Sequence, residues 1–359
     1  MRRGVLRRFA IRNYRSLREV ALEPGDLTVI TGANGAGKSN LYRALGLVLA
    51  AARGRLAATI VADGGMPSVL WAGDWLKDER RRIEVEVEAL DWRFDLVCGL
   101  PPPPEGAFAL DPYVKAERLT APDGTKLLER QGPSAWMQAR GARGRTTYPA
   151  ALEPQEAALS QLREPHLYPD VAMAQAQLRR WRFYHHFSTD ADSPIRSPQV
   201  GTRTPVLAAD GRDLAAAFQT ILEVGDTRGL ADAIDRAFPG AQLHIDRRDG
   251  QFATFLHQRG FKRAFAAREL SDGTLRYLCL VAALLSPRPS PLLILNEPDQ
   301  SLHPDLSYPL SESILNAAER SQVIVITHSP LLARLLTSAG ATAYDLRLEA
   351  GATVAEAVA

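Results

Sequence analysis

Residues 31–40 read Thr-Gly-Ala-Asn-Gly-Ala-Gly-Lys-Ser-Asn, and this stretch decides how the rest of the 359-residue chain is interpreted. It fits the pattern G-x-x-x-x-G-K-[ST]. The fixed positions of the pattern are Gly32, Gly37, Lys38 and Ser39. The short apolar run at 27–30 predicts a buried strand before it, and apolar residues at helical spacing over 41–49 predict a helix after it. A strand, a glycine-rich turn and a helix form the context that this pattern requires.

The residue types of this P-loop suit the binding of a nucleoside triphosphate. Glycines let backbone N–H groups face phosphate oxygens closely, and the N-terminus of the following helix adds partial positive charge. We expect Lys38 to bind the β- and γ-phosphates and Ser39 to ligate Mg²⁺. The predicted nucleotide-binding residues of the loop are Asn34, Gly35, Ala36, Gly37, Lys38, Ser39 and Asn40. The alternative is an ordinary glycine-rich turn, which would not need the flanking strand and helix.

Composition limits the classes of protein that the chain can belong to. It has 43 basic and 41 acidic residues, which excludes a uniformly basic nucleic-acid binder but allows local patches. One cluster of arginines is either such a patch or a solvated strand face, and it comprises Arg2, Arg3, Arg7, Arg8, Arg12, Arg15 and Arg18. Two isolated cysteines form no disulfide framework or zinc pattern, and no signal peptide or membrane span is recognisable. We therefore expect a soluble, cytoplasmic protein.

Hydrophobic patterning predicts antiparallel strands in the first half of the chain and a parallel unit near its end. Residues 82–90 alternate strictly, as a half-solvated antiparallel strand does, and a partner strand is expected at 92–97. Residues 154–180 have the composition of helices. Two wholly apolar runs, 292–295 and 323–326, with a predicted helix between them, indicate a parallel βαβ unit.

Polar residues follow both apolar runs at the carboxyl ends of the predicted parallel strands, where such sheets bind ligands. Asn296 and Glu297 follow the first run, and His328 follows shortly after the second. A carboxylate at this position can orient or deprotonate the water that attacks the γ-phosphate, and an imidazole can contact that phosphate. The predicted catalytic residues are therefore Glu297, His328 and Lys38. The alternative is that Glu297 and His328 are ordinary polar residues at strand ends.

Five motifs resemble those of ABC-type ATPases related to the SMC, RecF and OLD families. In chain order they are an N-terminal turn at Asn13-Tyr14-Arg15-Ser16-Leu17, a signature loop at Leu270-Ser271-Asp272-Gly273-Thr274, a Walker B strand at Ile294-Leu295-Asn296-Glu297-Pro298, a D-loop at Ser301-Leu302-His303-Pro304 and an H-loop at Thr327-His328-Ser329-Pro330. The resemblance implies an α/β fold: a P-loop NTPase with an ABC-type head, a mixed sheet core, an antiparallel β lobe and an inserted helical lobe. We expect one head over 1–359, with lobes at 1–150, 151–262 and 263–359.

The resemblance also implies an ATP-dependent homodimer in which each signature loop contacts the γ-phosphate held by the other copy's P-loop. Ser271 and Gly273 are predicted for this role, because a hydroxyl and free N–H groups at the start of a buried helix form an anion site. A plain helix N-cap has the same residue preferences and is the alternative. ATP and Mg²⁺ are the implied cofactors. DNA and a partner effector protein are further partners that the resemblance allows.

The chain departs from the family pattern at several points. Asn296 replaces the Walker B aspartate, so one negative charge is missing, and we expect weaker Mg²⁺ binding or slow turnover. Gln161 is the candidate for the glutamine that senses Mg²⁺ or the attacking water, with an exposed helix glutamine as the alternative. His185 and His186, in a predicted aromatic strand at 181–187, are interpreted as packed or solvent-facing. No sustained heptads separate the P-loop from the signature loop, so no long coiled-coil arm is expected.

The sequence thus predicts a Mg²⁺-dependent ATP hydrolase that dimerises with ATP and acts in DNA repair, chromosome maintenance or defence against mobile DNA. The alternative is a nucleotide-switched binding module that hydrolyses little and controls a partner protein or effector nuclease, which Asn296 would suit. A transporter ATPase is a third possibility, against which the N-terminal turn and the D-loop motif argue.

Overall fold

A computed structural model describes residues 6–102 and 107–358. The helices in these ranges are α1 Lys38–Arg53, α2 Leu56–Ala62, α3 Met66–Val69, α4 Ala158–Gln161, α5 Pro169–Arg179, α6 Leu214–Val224, α7 Thr227–Ala237, α8 Asp272–Leu284, α9 Ser307–Ala318 and α10 Pro330–Ser338. Short 3₁₀ segments lie at Pro194–Arg196, Ala267–Glu269 and Pro304–Leu306. Arg2 and Arg3 of the predicted arginine cluster lie outside the described residues.

The strands in the same ranges are β1 Leu6–Tyr14, β2 Leu17–Leu22, β3 Leu27–Gly32, β4 Arg82–Ala89, β5 Arg93–Gly99, β6 Tyr113–Thr120, β7 Lys126–Gln131, β8 Ser134–Met137, β9 Thr146–Thr147, β10 Arg182–Tyr184, β11 Gln199–Val200, β12 Gln242–Arg248, β13 Gln251–His257, β14 Phe265–Ala266, β15 Leu292–Asn296, β16 Gln322–Ile326, β17 Thr342–Glu349 and β18 Ala352–Val358. The α/β class predicted from the sequence is confirmed.

The chain divides into two compact units. Unit 1 contains the described residues of Met1–Gly25, Ile30–Trp181 and Thr342–Ala359, and unit 2 contains Asp26–Val29 and Arg182–Ala341. These boundaries differ from those of the three predicted lobes, because the two last strands belong to unit 1 together with the P-loop.

Unit 1 is built on an antiparallel sheet with the strand order β2-β1-β4-β5-β6-β7-β8-β9. The strand predicted at 82–90 is confirmed as β4, and its partner is β5. The apolar side chains of β4 are buried and the charged ones between them are half-buried. This is the pattern of a sheet with one face on the core.

Most of the described arginines of the N-terminal cluster pair with carboxylates in unit 1. Arg8 forms an ion pair with Glu86 on β4, and Arg12 Nε donates to the carboxylate of Glu19 on β2 over a distance of 3.0 Å. Arg18 contacts Glu79 at 2.7 Å. These pairs offset the positive charges of Arg8, Arg12 and Arg18, so these described arginines carry no argument for DNA binding.

Unit 2 contains the parallel βαβ unit that the two apolar runs predicted. β15 pairs in parallel with β10 on one side and β16 on the other, and α9 lies between β15 and β16 in the sequence. Every residue of β15 and β16 is buried. The helix α8 is buried on nearly every face and packs within the same apolar core.

Two predicted elements are shorter than expected. The helical region at 154–180 contains only α4 and α5, because Pro165 and Pro169 interrupt it and proline cannot continue a helix from the preceding turn. The aromatic strand predicted at 181–187 is limited to β10, and His185 and His186 follow it in irregular backbone. None of the helices in the described part of the chain is long and apolar enough to cross a bilayer.

Candidate active site

The P-loop in unit 1 connects the end of β3 to the start of α1. Its last glycine, Gly37, is the N-cap of α1 with φ 103°, and it has no side chain to cap the helix. The first N–H groups of a helix have no acceptor within that helix, so those of α1 are available to a ligand. The Lys38 ammonium is buried and donates to the carbonyl oxygens of Gly32 at 2.6 Å and Ala33 at 3.0 Å. The loop therefore holds its lysine folded back over its own backbone.

Residues from both ends of unit 1 pack against the P-loop. A Cβ atom placed on Gly37 would lie 2.2 Å from Thr353 Oγ1 on β18 and 3.0 Å from Ser16 Oγ in the N-terminal turn. The hydroxyl groups of Ser16 and Thr353 are 2.8 Å apart, and Thr353 N donates to Ser16 O at 2.7 Å. The Asn40 amide donates to Ser16 Oγ at 2.9 Å, so its side chain is engaged by the turn. The N-terminal turn and β18 thus fix the backbone of the loop.

This loop fits the phosphates of a nucleotide. The glycine cradle is a space that a Cβ would fill, N–H groups of α1 point out of its first turn, and Lys38 supplies a cation. Asn34 and Gly35 are exposed at the tip of the loop, whereas Ala36 is buried. The Ser39 hydroxyl belongs to an exposed residue in the first turn of α1, where it could ligate Mg²⁺.

In unit 2, Glu297 and His328 lie together where the parallel strands β15 and β16 end. Glu297 N donates to Ile326 O at 2.7 Å, which extends the β15–β16 pairing by one bond. The Glu297 carboxylate contacts His328 Nδ1 and accepts a second hydrogen bond from His328 N at 3.3 Å. Its side chain is 16% exposed. The carboxylate is therefore oriented by a histidine while one edge still reaches solvent.

Glu297 has an unusual backbone conformation for a residue with a side chain. Its φ is 50°, in the left-handed region that non-glycine residues seldom adopt. Such a conformation costs on the order of 1–3 kcal/mol and is found preferentially at functional sites. The backbone of Glu297 is held by hydrogen bonds on both sides, since its carbonyl accepts from Arg276 at 3.0 Å. The strained turn directs the carboxylate towards His328.

Asn296, the residue in place of the Walker B aspartate, is 3% exposed and its Oδ1 atom has no hydrogen-bond partner among the described residues. Its Nδ2 atom lies 2.8 Å from His185 Nδ1. A buried amide oxygen without a partner is costly, and oxygen is the ligand atom that Mg²⁺ prefers. The Asn296 Oδ1 atom is therefore free to accept a hydrogen bond or to ligate a cation.

His185 and Arg276 are residues of this site that the sequence interpretation missed. The Arg276 guanidinium, on the buried helix α8, donates to His185 O at 2.8 Å as well as to Glu297 O. Burial lowers the pKa of Arg276, opposed by the nearby Asp299 carboxylate. The only sequence signal for His185 is its position directly after β10, a strand that the sequence did not place beside β15.

The signature loop opens α8, with Ser271 as the N-cap. Ser271 Oγ accepts from Thr274 N at 3.2 Å, so the hydroxyl caps the helix as the alternative interpretation proposed. Gly273 packs against the D-loop, because a Cβ there would lie 2.8 Å from Ser301 O. Ser271 is exposed and Gly273 is half-buried. Capping leaves both residues at the surface, where they can also meet a ligand from outside the chain.

The H-loop is joined to the turn that follows β15 within unit 2. Thr327 Oγ1 donates to Asp299 Oδ1 at 2.7 Å and accepts from Ser329 N at 3.0 Å. Thr327 is fully buried. These bonds fix the backbone on which His328 stands, so the orientation of its ring depends on the turn that follows β15.

Gln161 lies away from the P-loop. Its amide holds the preceding turn, since Oε1 accepts from Glu153 N at 2.8 Å and Nε2 donates to Glu156 O at 2.9 Å. The neighbouring Ser160 lies 3.5 Å from the Cβ position of Gly54, which follows the last residue of α1. The P-loop lies at the opposite end of α1, and the 16 residues of α1 separate the two ends by about 24 Å at the helical rise per residue. Gln161 therefore has a structural role here.

Comparison with known proteins identifies the family. The profile of the family described as "AAA domain, putative AbiEii toxin, Type IV TA system" matches residues 148–334, which is more than half of the chain, and an "AAA domain" profile matches residues 8–63. A search of curated protein sequences gives no significant match.

Solved structures with a similar fold are SMC heads. One is the "SmcHead bound to the C-winged helix domain of ScpA", with 16% identity, a TM-score of 0.57, and coverage of 99% of this chain and 98% of that one. A Pyrococcus furiosus Smc head bound to the C-terminal domain of ScpA has 16% identity, a TM-score of 0.54, and coverage of 99% and 96%. A Pyrococcus yayanosii Smc head has 12% identity, a TM-score of 0.52, and coverage of 99% and 97%. The TM-scores and the coverage of both chains show a shared fold. With the family match and the P-loop, the chain belongs to this AAA-domain family and shares the fold of SMC heads.

Proposed function

We propose that this protein binds ATP with Mg²⁺ and uses it to bring two copies together as a homodimer, with hydrolysis ending the dimeric state. The Glu297–His328 contact carries the proposal, because a strained carboxylate oriented by a histidine at the ends of two parallel strands is suited to activating water. Resemblance to the ABC-type group supports the dimeric arrangement. A cytoplasmic location stays a prediction.

Each residue of the site would have its own chemical role. The P-loop N–H groups and Lys38 would bind phosphate oxygens, and Glu297 would orient or deprotonate the attacking water. His328 would hold that carboxylate and contact the γ-phosphate. Ser39 and Asn296 would hold Mg²⁺, which supplies positive charge against the phosphate oxygens when it is bound.

Ser271 and Gly273 would act on the nucleotide of the second copy. Both lie at the surface at the start of α8, where N–H groups and the helix dipole favour an anion. Two copies would then form two equivalent composite sites related by a twofold axis.

The oligomeric state with and without ATP tests the proposal. We expect wild-type protein to be monomeric without nucleotide and to dimerise transiently with ATP and Mg²⁺. The Glu297→Gln variant keeps the shape of the side chain but cannot take up a proton from water, so it should accumulate as a stable dimer with ATP. Sedimentation or light scattering at several protein concentrations measures this.

The matched control for this experiment is Glu312→Gln. Glu312 is an exposed residue of α9 that pairs only with Arg236 in the described structure. The same substitution there should leave both the oligomeric state and ATP turnover as in the wild type. A Glu297→Gln protein that remains monomeric at saturating ATP would contradict the dimerisation proposed here.

A second candidate function is a nucleotide switch with little hydrolysis that controls a partner protein or effector nuclease. Asn296 favours it, since the amide carries no charge to hold Mg²⁺. We expect Asn296→Asp to lower the Mg²⁺ concentration for half-maximal activity by about tenfold, because one added carboxylate strengthens binding of a hard cation. Titrating ATPase activity with Mg²⁺ for both proteins, with and without DNA, measures this. Superimposable titration curves would rule out a limiting role for the amide.

Partner identity and pathway stay predictions. Two of the similar SMC heads are bound to ScpA domains, so a protein bound to the head is one form that a partner could take here. DNA repair, chromosome maintenance and defence against mobile DNA are the processes in which we propose that the ATPase acts.

A further inference from the structure

Arg196 is an almost buried arginine whose guanidinium is surrounded by oxygen atoms of its own chain. Its side chain is 11% exposed and lies in the 3₁₀ segment Pro194–Arg196 of unit 2. Nε and Nη2 donate to Thr189 O at 3.0 and 2.8 Å, and Nε also donates to Asp190 O at 2.9 Å. These three hydrogen bonds close the loop that carries Arg196.

The same guanidinium also holds the signature loop and the residues just before it. Nη1 donates to Leu270 O at 2.8 Å and to the carbonyl oxygens of Ala267 and Arg268, both at 3.3 Å. Nη2 forms an ion pair with the carboxylate of Asp272, the first residue of α8. The bonds to residues 270 and 272 lie on either side of Ser271. Arg196 therefore fixes the backbone before and after the signature serine.

The loop that carries Arg196 is held by its own hydrogen bonds and by packing in the core. The buried Ser193 hydroxyl donates to Ser188 O at 2.5 Å and accepts from Ile195 N at 3.3 Å. Ile195 is 2% exposed and packs in the apolar core of unit 2. The planar fork of an arginine on such a support can hold several carbonyl groups in fixed positions, which a lysine cannot do.

The backbone that leads from β10 to Arg196 also contacts the end of the Walker B strand. It begins after β10 at His185, whose Nδ1 lies beside the Asn296 amide and whose carbonyl accepts from Arg276. Residues 185–196 therefore join the ends of the parallel strands to the signature loop within one unit. Nothing in the spacing of the sequence motifs indicates this connection.

We propose that Arg196 is a positioning residue that holds Ser271 and Gly273 in place for the ATP bound by a second copy. Its own nitrogen atoms are occupied by oxygen atoms of this chain, so it acts through the signature loop and has no contact with the nucleotide. The inference rests on the proposed function, because it assigns Arg196 to the site completed in trans. ATP held by the P-loop of the same copy does not depend on it.

Substitutions at Arg196 separate binding of ATP from dimerisation. In a Glu297→Gln background, we expect Arg196→Met to weaken ATP-dependent dimerisation by about tenfold or more, because several charge-assisted hydrogen bonds are lost. Binding of ATP by the separate copies should stay within about twofold of the parent. Arg196→Lys keeps the positive charge but not the planar guanidinium, so its ATP-dependent dimerisation should be intermediate between that of the parent and that of Arg196→Met. Unchanged dimerisation in both variants would contradict the proposal.

The matched control is Arg203→Met in the same connecting region. The Arg203 side chain is 68% exposed and its ion pair with Glu223 is long, at 3.9 Å. This change should affect neither dimerisation nor ATP binding. Asp272→Asn weakens one contact of Arg196, the one with an exposed carboxylate. It should therefore also weaken ATP-dependent dimerisation, but less than Arg196→Met does. A thermal melt of each variant establishes that it is folded.

Mixing two inactive variants tests whether Arg196 acts in trans. A dimer of one Arg196→Met copy and one Lys38→Ala copy contains a site with an intact P-loop from the first and an intact signature loop from the second. We expect such mixtures to regain up to about half of the turnover per dimer, since one of two equivalent sites is complete. If Arg196 served the P-loop of its own copy, no complete site would form and the mixture would remain inactive.

Hydrogen exchange decides the positioning role without a dimer. In separate copies without ATP, amides at 267–275 should exchange faster in Arg196→Met than in Arg203→Met, since their carbonyl contacts have been removed. Unchanged exchange there would overturn the inference whatever the oligomeric state. If Glu297→Gln protein fails to dimerise with ATP, the proposed function fails, and the exchange rates still decide whether Arg196 positions the loop.

Discussion

Replacing Arg130 by methionine is expected to lower the free energy of unfolding by about 3–5 kcal/mol. Arg130 and Glu117 are both fully enclosed in unit 1, with Arg130 Nη1 3.9 Å from Glu117 Oε2. The guanidinium also donates to the carbonyl oxygens of Gly132 at 2.6 Å, Glu153 at 2.7 Å and Glu156 at 2.5 Å. Methionine would leave these carbonyl groups and the buried carboxylate without the cation that compensates them.

The second member of this pair can be used to test the cause of the loss. Burial raises the pKa of Glu117 and lowers the pKa of Arg130, so burial disfavours the charged form of each group, and the attraction between the two groups opposes this effect. In a protein that already carries Arg130→Met, adding Glu117→Gln removes the uncompensated charge but leaves one of the two N–H groups of Ala158 and Leu159 without its acceptor, so it should recover at most about 1 kcal/mol. Chemical denaturation of the single and double variants measures the coupling between the two sites.

The matched control is Arg118→Met, one position from Glu117 on β6. The Arg118 side chain is 47% exposed and contacts Glu129 at 3.2 Å. Exposed ion pairs contribute at most about 1 kcal/mol, so this change should move the denaturation midpoint little. Equal destabilisation by Arg118→Met and Arg130→Met would show that burial of the charge is not what matters.

The sequence could predict those parts of the fold whose signal lies in a few consecutive residues. The apolar runs of β15 and β16 specify buried parallel strands, and strict alternation specifies β4. The P-loop pattern places a helix after its last glycine, and α1 begins there at Lys38, three residues before the start predicted from apolar spacing at 41, because Gly37 adopts the left-handed conformation that ends the loop. In each case a local physical requirement determines the residue types.

The contacts of the site that sequence reasoning missed join residues far apart in the chain. Arg276 meets the carbonyl of His185, and Arg196 meets the carbonyl of Leu270. A side chain that binds distant backbone atoms creates no periodic pattern in the sequence. Its partner leaves no signal either, because every residue type has a backbone carbonyl. Gln161 shows the converse: its type suits a metal site, yet its amide is used by nearby backbone atoms.

Substituting alanine for Gly37 is expected to reduce ATP affinity by about 100-fold, a loss of about 2.7 kcal/mol. The backbone at φ 103° disfavours any side chain, and the new Cβ would lie 2.2 Å from Thr353 Oγ1. Thr353 is buried and hydrogen-bonded to Ser16, so it cannot move aside without breaking that bond. The loop must shift instead, and its N–H groups would no longer converge on a phosphate. Fluorescent-nucleotide titration measures the change.

Gly35→Ala in the same loop is the matched control. Its φ is 83°, so alanine is disfavoured by the backbone there as well, but no atom lies within 4 Å of the added Cβ. We expect only the backbone cost of about 1–2 kcal/mol. Combining Gly37→Ala with Thr353→Ala removes the clashing atoms and should restore the affinity to that of Gly35→Ala. Because Thr353 supplies the two closest atoms, failure of that rescue would mean that contact with β18 is not what limits binding in Gly37→Ala.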